Sequence, residues 1–140
     1  MIRAAAPPVS RIPSLAVVAL ALVAGCGGPA GIIPGGELSG EEATSNAWSD
    51  VVSESGRLDL ETRPEDPYSV RVNFVFRDGN VYIDPAEGRQ WYEHLMADRS
   101  VRVRIDDRVY RARAVPVTDP NELAGFDPER RVHRLELVDR

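Results

Sequence analysis

The dipeptide Asp78-Gly79 stands between two runs that alternate apolar and polar residues, Ser69 to Arg77 and Asn80 to Asp84. A two-residue Asp-Gly turn predicts an antiparallel hairpin, because its backbone twist matches that of the strands it joins. It also sets the register, with Phe76 opposite Val81 and Phe74 opposite Ile83. Val70, Val72, Phe74, Phe76, Val81 and Ile83 then share one face; Arg71, Asn73, Val75, Arg77 and Tyr82 share the other. The pattern recurs in Ser100–Ile105 and Arg108–Thr118, which turn at Asp106-Asp107. That register sets Val103 opposite Tyr110, Val101 opposite Ala112 and Arg102 opposite Arg111. A chain organised by two such hairpins is a sheet former.

The remaining segments extend the sheet. Leu58 and Leu60 alternate with Asp59 and Glu61, and the run breaks at Arg63-Pro64-Glu65-Asp66-Pro67. Arg131 to Asp139 reads as a last strand with His133, Leu135 and Leu137 on one face. Two helices are expected. Ser39-Gly40-Glu41-Glu42 has the form of a capping box, and Ala43, Ala47, Trp48, Val51 and Val52 follow at helical spacing, so a helix is predicted from about Gly40 to Ser55. Asp84, Pro85 and Glu87 suit the N-cap, first and third positions of a second helix that pairs Trp91 with Leu95 and ends near Asp98. Asp119-Pro120 opens a turn or short helix through Phe126. The expected fold is mainly β with two helices (α+β): a small six-stranded antiparallel split β-barrel over residues 40–140.

Residues 1–39 read differently. Leu15 to Cys26 is an unbroken run of apolar and small residues preceded by Arg3 and Arg11, and no acidic residue occurs before Glu37. That order is a secretory signal, with a core too short to span a bilayer. Its end, Val23-Ala24-Gly25-Cys26, resembles the lipobox of bacterial lipoproteins. The resemblance implies removal of residues 1–25 and a diacylglyceryl group on the Cys26 sulfur, which anchors the protein in the bacterial cell envelope. Gly27 is not the aspartate that retains some lipoproteins on the inner membrane, so the outer membrane is favoured. Residues 26–39, rich in Gly and Pro, are expected to be a flexible tether.

Charge narrows the function classes. Two of the 17 cationic residues, all arginines, precede Cys26, while all 22 acidic residues follow it, so the mature chain is acidic and no nucleic-acid partner is expected. An acylated Cys26 leaves no thiol for a disulfide, a cysteine-based metal site or a nucleophile. His94 and His133 lack any metal-ligand spacing, no Gly-x-Ser-x-Gly elbow occurs, and no catalytic residue or metal site is assigned.

The order of elements from about Trp48 onward resembles the FMN-binding split-barrel, or pyridoxamine-phosphate-oxidase-like, superfamily, which includes deazaflavin-dependent nitroreductases. The residues carrying it are Leu60-Glu61-Thr62, Val72 to Ile83, Gly88-Arg89-Gln90-Trp91-Tyr92-Glu93-His94-Leu95, Val101 to Ile105 and Tyr110 to Ala114. The resemblance implies FMN or deazaflavin coenzyme as cofactor, a homodimer, and cofactor contacts at Thr62, Arg71, Asn73, Arg89 and Trp91. Deazaflavin users usually carry a Gly-Arg-Lys-Ser-Gly-like stretch where this chain reads Arg63-Pro64-Glu65-Asp66-Pro67, and carboxylates there repel a phosphate. Asp84 and Glu87 would likewise occupy the positive end of the second helix.

Arg102, Arg104, Arg111 and Arg113, with Arg134 on the adjoining strand, share an outward face. They form either an anion patch or a solvated face balanced by Glu136 and neighbouring aspartates. The leading expectation is a lipid-anchored extracytoplasmic barrel that binds a small ligand or partner without catalysis. The alternatives are an FMN- or deazaflavin-dependent reductase and a structural envelope lipoprotein.

Overall fold

A computed structural model describes residues 4–5 and 27–139. Cys26 and the run before it lie outside the described residues. In chain order the elements are β1 (Glu41–Glu42), a single 3-10 turn (Trp48–Asp50), β2 (Gly56–Thr62), β3 (Tyr68–Arg77), β4 (Asn80–Ile83), α1 (Gln90–Ala97), β5 (Ser100–Ile105), β6 (Arg108–Pro116), α2 (Pro120–Leu123) and β7 (His133–Leu137).

Both hairpins form in the expected register: Phe76 faces Val81, and Val103, Val101 and Arg102 face Tyr110, Ala112 and Arg111. Their turns place Asp78, Gly79, Asp106 and Asp107 at positive φ, the backbone that two-residue hairpin loops require. β2 joins the hairpins by pairing with β3 on one side and β5 on the other. β7 pairs with both β4 and β6, so β2-β3-β4-β7-β6-β5 closes on itself as a six-stranded antiparallel barrel. Closure removes most exposed strand edges.

The core fills the ring from every strand. Leu58, Leu60, Phe74, Val81, Ile83, Val101, Val103, Tyr110, Ala112, Ala114 and Leu135 are buried there, with Leu95 of α1 packed against them. Each fully buried Leu, Ile or Val contributes about 2 kcal/mol. A second, smaller cluster lies outside the ring, where Val117, Val132, Leu123 and Phe126 cover Tyr82 and Val75 on the outer face of β3 and β4.

The first expected helix does not form. Its apolar residues Ala43, Trp48, Val51 and Val52 still pack on the barrel, carried by extended chain and the one 3-10 turn. β7 covers β6 only from Ala112 to Pro116, and β1 pairs in parallel with the edge left open at Arg108 and Val109. Pairing with that edge outcompetes a capping box whose helix would leave it bare. Gly40 makes the approach possible: a Cβ there would sit 2.6 Å from the Asp107 carbonyl oxygen. Trp48 closes the barrel, its indole N–H donating to the Leu135 carbonyl at 2.6 Å.

Two further expectations are corrected. The second helix begins at Gln90 with Arg89 at its N-cap, not at Asp84, because Pro85 is buried and its carbonyl accepts from the Arg131 amide at 2.9 Å. The tether expected over residues 26–39 is fastened to the barrel at points, with Pro29 and Leu38 buried and residues 30–34 left exposed. Leu38 is 2% exposed, and Gly35 and Ser69 exchange backbone bonds of 2.9 and 2.8 Å.

Candidate functional site

The site starts from a mismatch of lengths. β3 has ten residues and β4 four, so β4 covers β3 only from Val75 to Arg77. Beyond Ile83 the chain leaves β3 and turns toward the segment before β7, where Ala86 bridges Arg130. The space opened between β3 and the loop leading to α1 is a groove of ≈ 690 Å³. Residues 31–34 of the N-terminal segment bound it as well, and Arg71, Asn73, Asp84, Arg89, Trp91 and Arg130 all line it.

Four of the five residues singled out for cofactor contact, Arg71, Asn73, Arg89 and Trp91, are therefore brought together. Thr62 is not among them. It is 0% exposed, and its hydroxyl donates to the Tyr68 carbonyl at 3.2 Å while lying 2.8 Å from His94 Nδ1. The Thr62 oxygen and His94 Nδ1 are within hydrogen-bond distance of each other. That contact holds α1 to the end of β2, so Thr62 has a packing role and no ligand reaches it. Burial, helped by the Arg63 charge, pushes the His94 pKa down. The neutral ring packs edge-on against Tyr68 at 4.9 Å.

Within the groove the cations differ in what they already hold. Arg71 is bound to Asp59, with Nε 2.9 Å from Oδ1, and this contact raises its pKa. Arg130 donates to the Asp84 carbonyl at 3.3 Å. Arg89 is exposed and has no ion pair among the described residues. No side chain caps α1, so the expected occupation of its positive end by Asp84 and Glu87 does not occur. Glu87 instead pairs with Arg131. Trp91 adds a half-buried aromatic wall, and Ile32 and Ile33 form an apolar rim, 101% and 64% exposed.

The four arginines of the second candidate site separate into two pairs. Arg104 reaches across to buried Asp59 at 2.7 Å, and Arg102 reaches buried Glu61 at 2.9 Å and also pairs with Glu42. Burial works against the Arg102 charge, yet its bonds to Glu42 and Glu61 outweigh that and raise its pKa. The two like charges set opposite each other by register are relieved because Arg102 turns toward these carboxylates. Arg111 and Arg113 remain exposed on β6, without an ion pair among the described residues, and Arg113 stands across from Glu136. Arg134 is held by Glu122 at 2.8 Å and Glu136 at 3.0 Å. Arg102 and Arg104 thus neutralise two carboxylates that β2 buries, which leaves no four-arginine anion patch.

Sequence alternation marks Asp59 and Glu61 only as outward and polar. Their burial was missed because the covering strap, residues 35–42, reads as tether and helix. The Leu38 amide donates to Glu61 at 2.6 Å, and the Ser39 carbonyl accepts from Arg104 at 3.0 Å. The long Ser69–Arg77 run beside the short Asn80–Asp84 run was the available signal for the groove.

The architecture is that of a small closed antiparallel barrel, with the middle of β3 left unpaired beside a loop-and-helix wall. No protein-family model matches the chain, and no curated protein does. Among solved structures, the chain is similar to the protein Atu2129 (unknown function) from Agrobacterium tumefaciens str. C58. The two share 17% identity over 60% of this chain and 49% of that one, with a TM-score of 0.46. The match spans about half the length of that protein.

Proposed function

We propose that this chain is an exported lipoprotein whose barrel is a non-catalytic binding module, with the groove beside β3 as its site. Cys26 carries the diacylglyceryl anchor, and the barrel faces outside the cytoplasm, at the outer membrane of the bacterial envelope. The observation that carries the reading is the convergence of Arg71, Asn73, Arg89 and Trp91 on one groove. A concave site with an apolar wall and a few polar groups suits a ligand with an apolar body and an anionic group. Arg89 and Arg130, which line the groove without an ion pair among the described residues, are the cations left to meet that group.

The same convergence favours a second reading, binding of FMN or the deazaflavin coenzyme. Such a coenzyme supplies hydride chemistry when bound. Trp91 would flank its ring system, with Asn73 and Arg89 as polar contacts. The donor set fits this group only in part: Thr62 is closed off, Arg71 is engaged by Asp59, and Arg63 is paired with Asp66 at 3.3 Å. Binding without catalysis therefore ranks first.

Tryptophan fluorescence separates the readings. Trp48 is buried and Trp91 lines the groove, so a Trp48→Phe protein reports on the groove alone. Ligand-dependent quenching that Arg89→Glu weakens supports the site, and quenching indifferent to Arg89→Glu and Asn73→Ala counts against it. A flavin absorption band retained on purification would promote the second reading.

A further inference from the structure

Ser69 gives both its N–H and its C=O to Gly35, on the side of β3 away from β2. The β2–β3 register is continuous from Gly56↔Phe74 to Thr62↔Tyr68, so direction alternates residue by residue. Arg71 and Asn73 therefore also turn their N–H and C=O away from β2, into the groove. β4 does not reach them, since its pairing stops at Val75↔Tyr82. No other backbone or side-chain partner is present for these four groups among the described residues. The unpaired edge lies between the Gly35 bridge and the Val75 pair, about 20 Å apart at ~3.4 Å per residue.

We propose that this edge of β3 binds an extended peptide segment by strand addition, antiparallel to β3, with an acidic side chain of the peptide placed against Arg89 and Arg130. The proposal rests on the reading of the groove as a binding site and names its ligand class. Gly35 shows that an extended backbone fits this edge, since it already makes one residue's worth of the ladder there. The groove continues that line over Arg71 and Asn73 and is bounded on its far side by the loop to α1. With Arg71 held by Asp59, the groove keeps Arg89 and Arg130 against one aspartate, Asp84, so an acidic segment is complementary. Exposed Ile32 and Ile33 beside an open strand edge are surface that a bound strand would cover. Main-chain bonds would supply affinity, and the arginines and Trp91 would select side chains.

The test uses the full-length lipoprotein in detergent and a fluorescein-labelled capped peptide, Thr-Val-Glu-Val-Thr, read by fluorescence anisotropy. Two N-methylated versions block alternate amides, one set on the first, third and fifth residues and one on the second and fourth. Strand addition requires one set to weaken binding at least about tenfold while the other has little effect, because only one set points at β3. Asn73→Pro removes a groove-facing N–H without touching a β2 bond and is expected to weaken the parent peptide about tenfold. Glu→Gln in the peptide and Arg89→Glu in the protein should each weaken binding, and more so at low salt. Equal binding of the two N-methylated sets overturns the proposal, and that arm needs no protein variant. Failure of every peptide while a small anion such as FMN still quenches Trp91 overturns it too, yet leaves the groove standing as a site. Failure of both removes the site.

Discussion

Replacing Arg102 with methionine removes the cation from a carboxylate that has almost no water. Glu61 is 2% exposed, and its side chain is met by Arg102 at 2.9 Å and by the Leu38 amide at 2.6 Å. Methionine fills similar space without charge, leaving Glu61 with a single backbone donor. Breaking a buried ion pair by removing one partner costs about 3–5 kcal/mol. Arg102 keeps 19% of its side-chain exposure, which argues for the lower end, about 3 kcal/mol. Against a stability of about 5–15 kcal/mol for a domain of this size, that lowers Tm by roughly 12 °C. Urea and thermal unfolding followed by tryptophan fluorescence measure it. Adding Glu61→Gln to Arg102→Met removes the stranded charge and should restore most of the loss, since a neutral amide still accepts from Leu38. A single variant within about 0.5 kcal/mol of wild type, or a double variant no better than the single, would falsify the account of a strap fastened over buried carboxylates.

Further expectations follow from the same contacts. Gly40→Ala places a Cβ 2.6 Å from the Asp107 carbonyl oxygen, and a loss of about 2 kcal/mol is expected in a thermal melt; an unchanged melt would contradict the pairing of β1 with β6. Burial holds the His133 pKa below its ordinary 6.5, with Arg99 adding to the effect and the Arg131 carbonyl opposing it. Above about pH 6.5 both folded and unfolded states are neutral there. Below it the unfolded chain takes a proton that the folded one refuses, so stability declines as pH falls toward the folded pKa. His133→Asn should make that decline shallower in urea titrations between about pH 7 and 5, and an unchanged slope would exclude this histidine as a source. Cells expressing the chain should incorporate labelled palmitate into it, and Cys26→Ala should abolish the label. Label retained in that variant rules out Cys26 as the acylation site.

The barrel was legible where local signals and burial agree. Asp78-Gly79 and Asp106-Asp107 fix two hairpins, and alternation within them and along the last strand, where Leu135 lies, assigns the core face. Between residues 27 and 55 the local signals point elsewhere. Ser39 to Glu42 has the spacing of a helix start, but whether β1 or a helix forms depends on an open edge of β6 nearly seventy residues away. The same long-range dependence hid the strap, because Leu38 is buried only once Glu61 and Arg102 are set side by side. For the site, the split-barrel resemblance pointed to Arg71, Asn73, Arg89 and Trp91, which alternation alone marks only as outward or helical residues, and they do meet at one groove. The same resemblance pointed to Thr62, which is closed off because α1 folds back and seals it with His94. Arg102 and Arg104 looked like free charge because alternation says which way a side chain points, and nothing about which carboxylate lies beside it.

The central claim is that the open edge of β3 and the wall opposite it form the binding site. Backbone amide chemical shifts of the protein, followed while the acidic peptide is titrated in, test that most directly. The account requires the largest changes at Arg71, Asn73, Arg89, Gln90 and Trp91, with the amides of Arg71 and Asn73 shifting as they gain acceptors. Changes centred instead on Arg111 and Arg113, or none along β3, would contradict it.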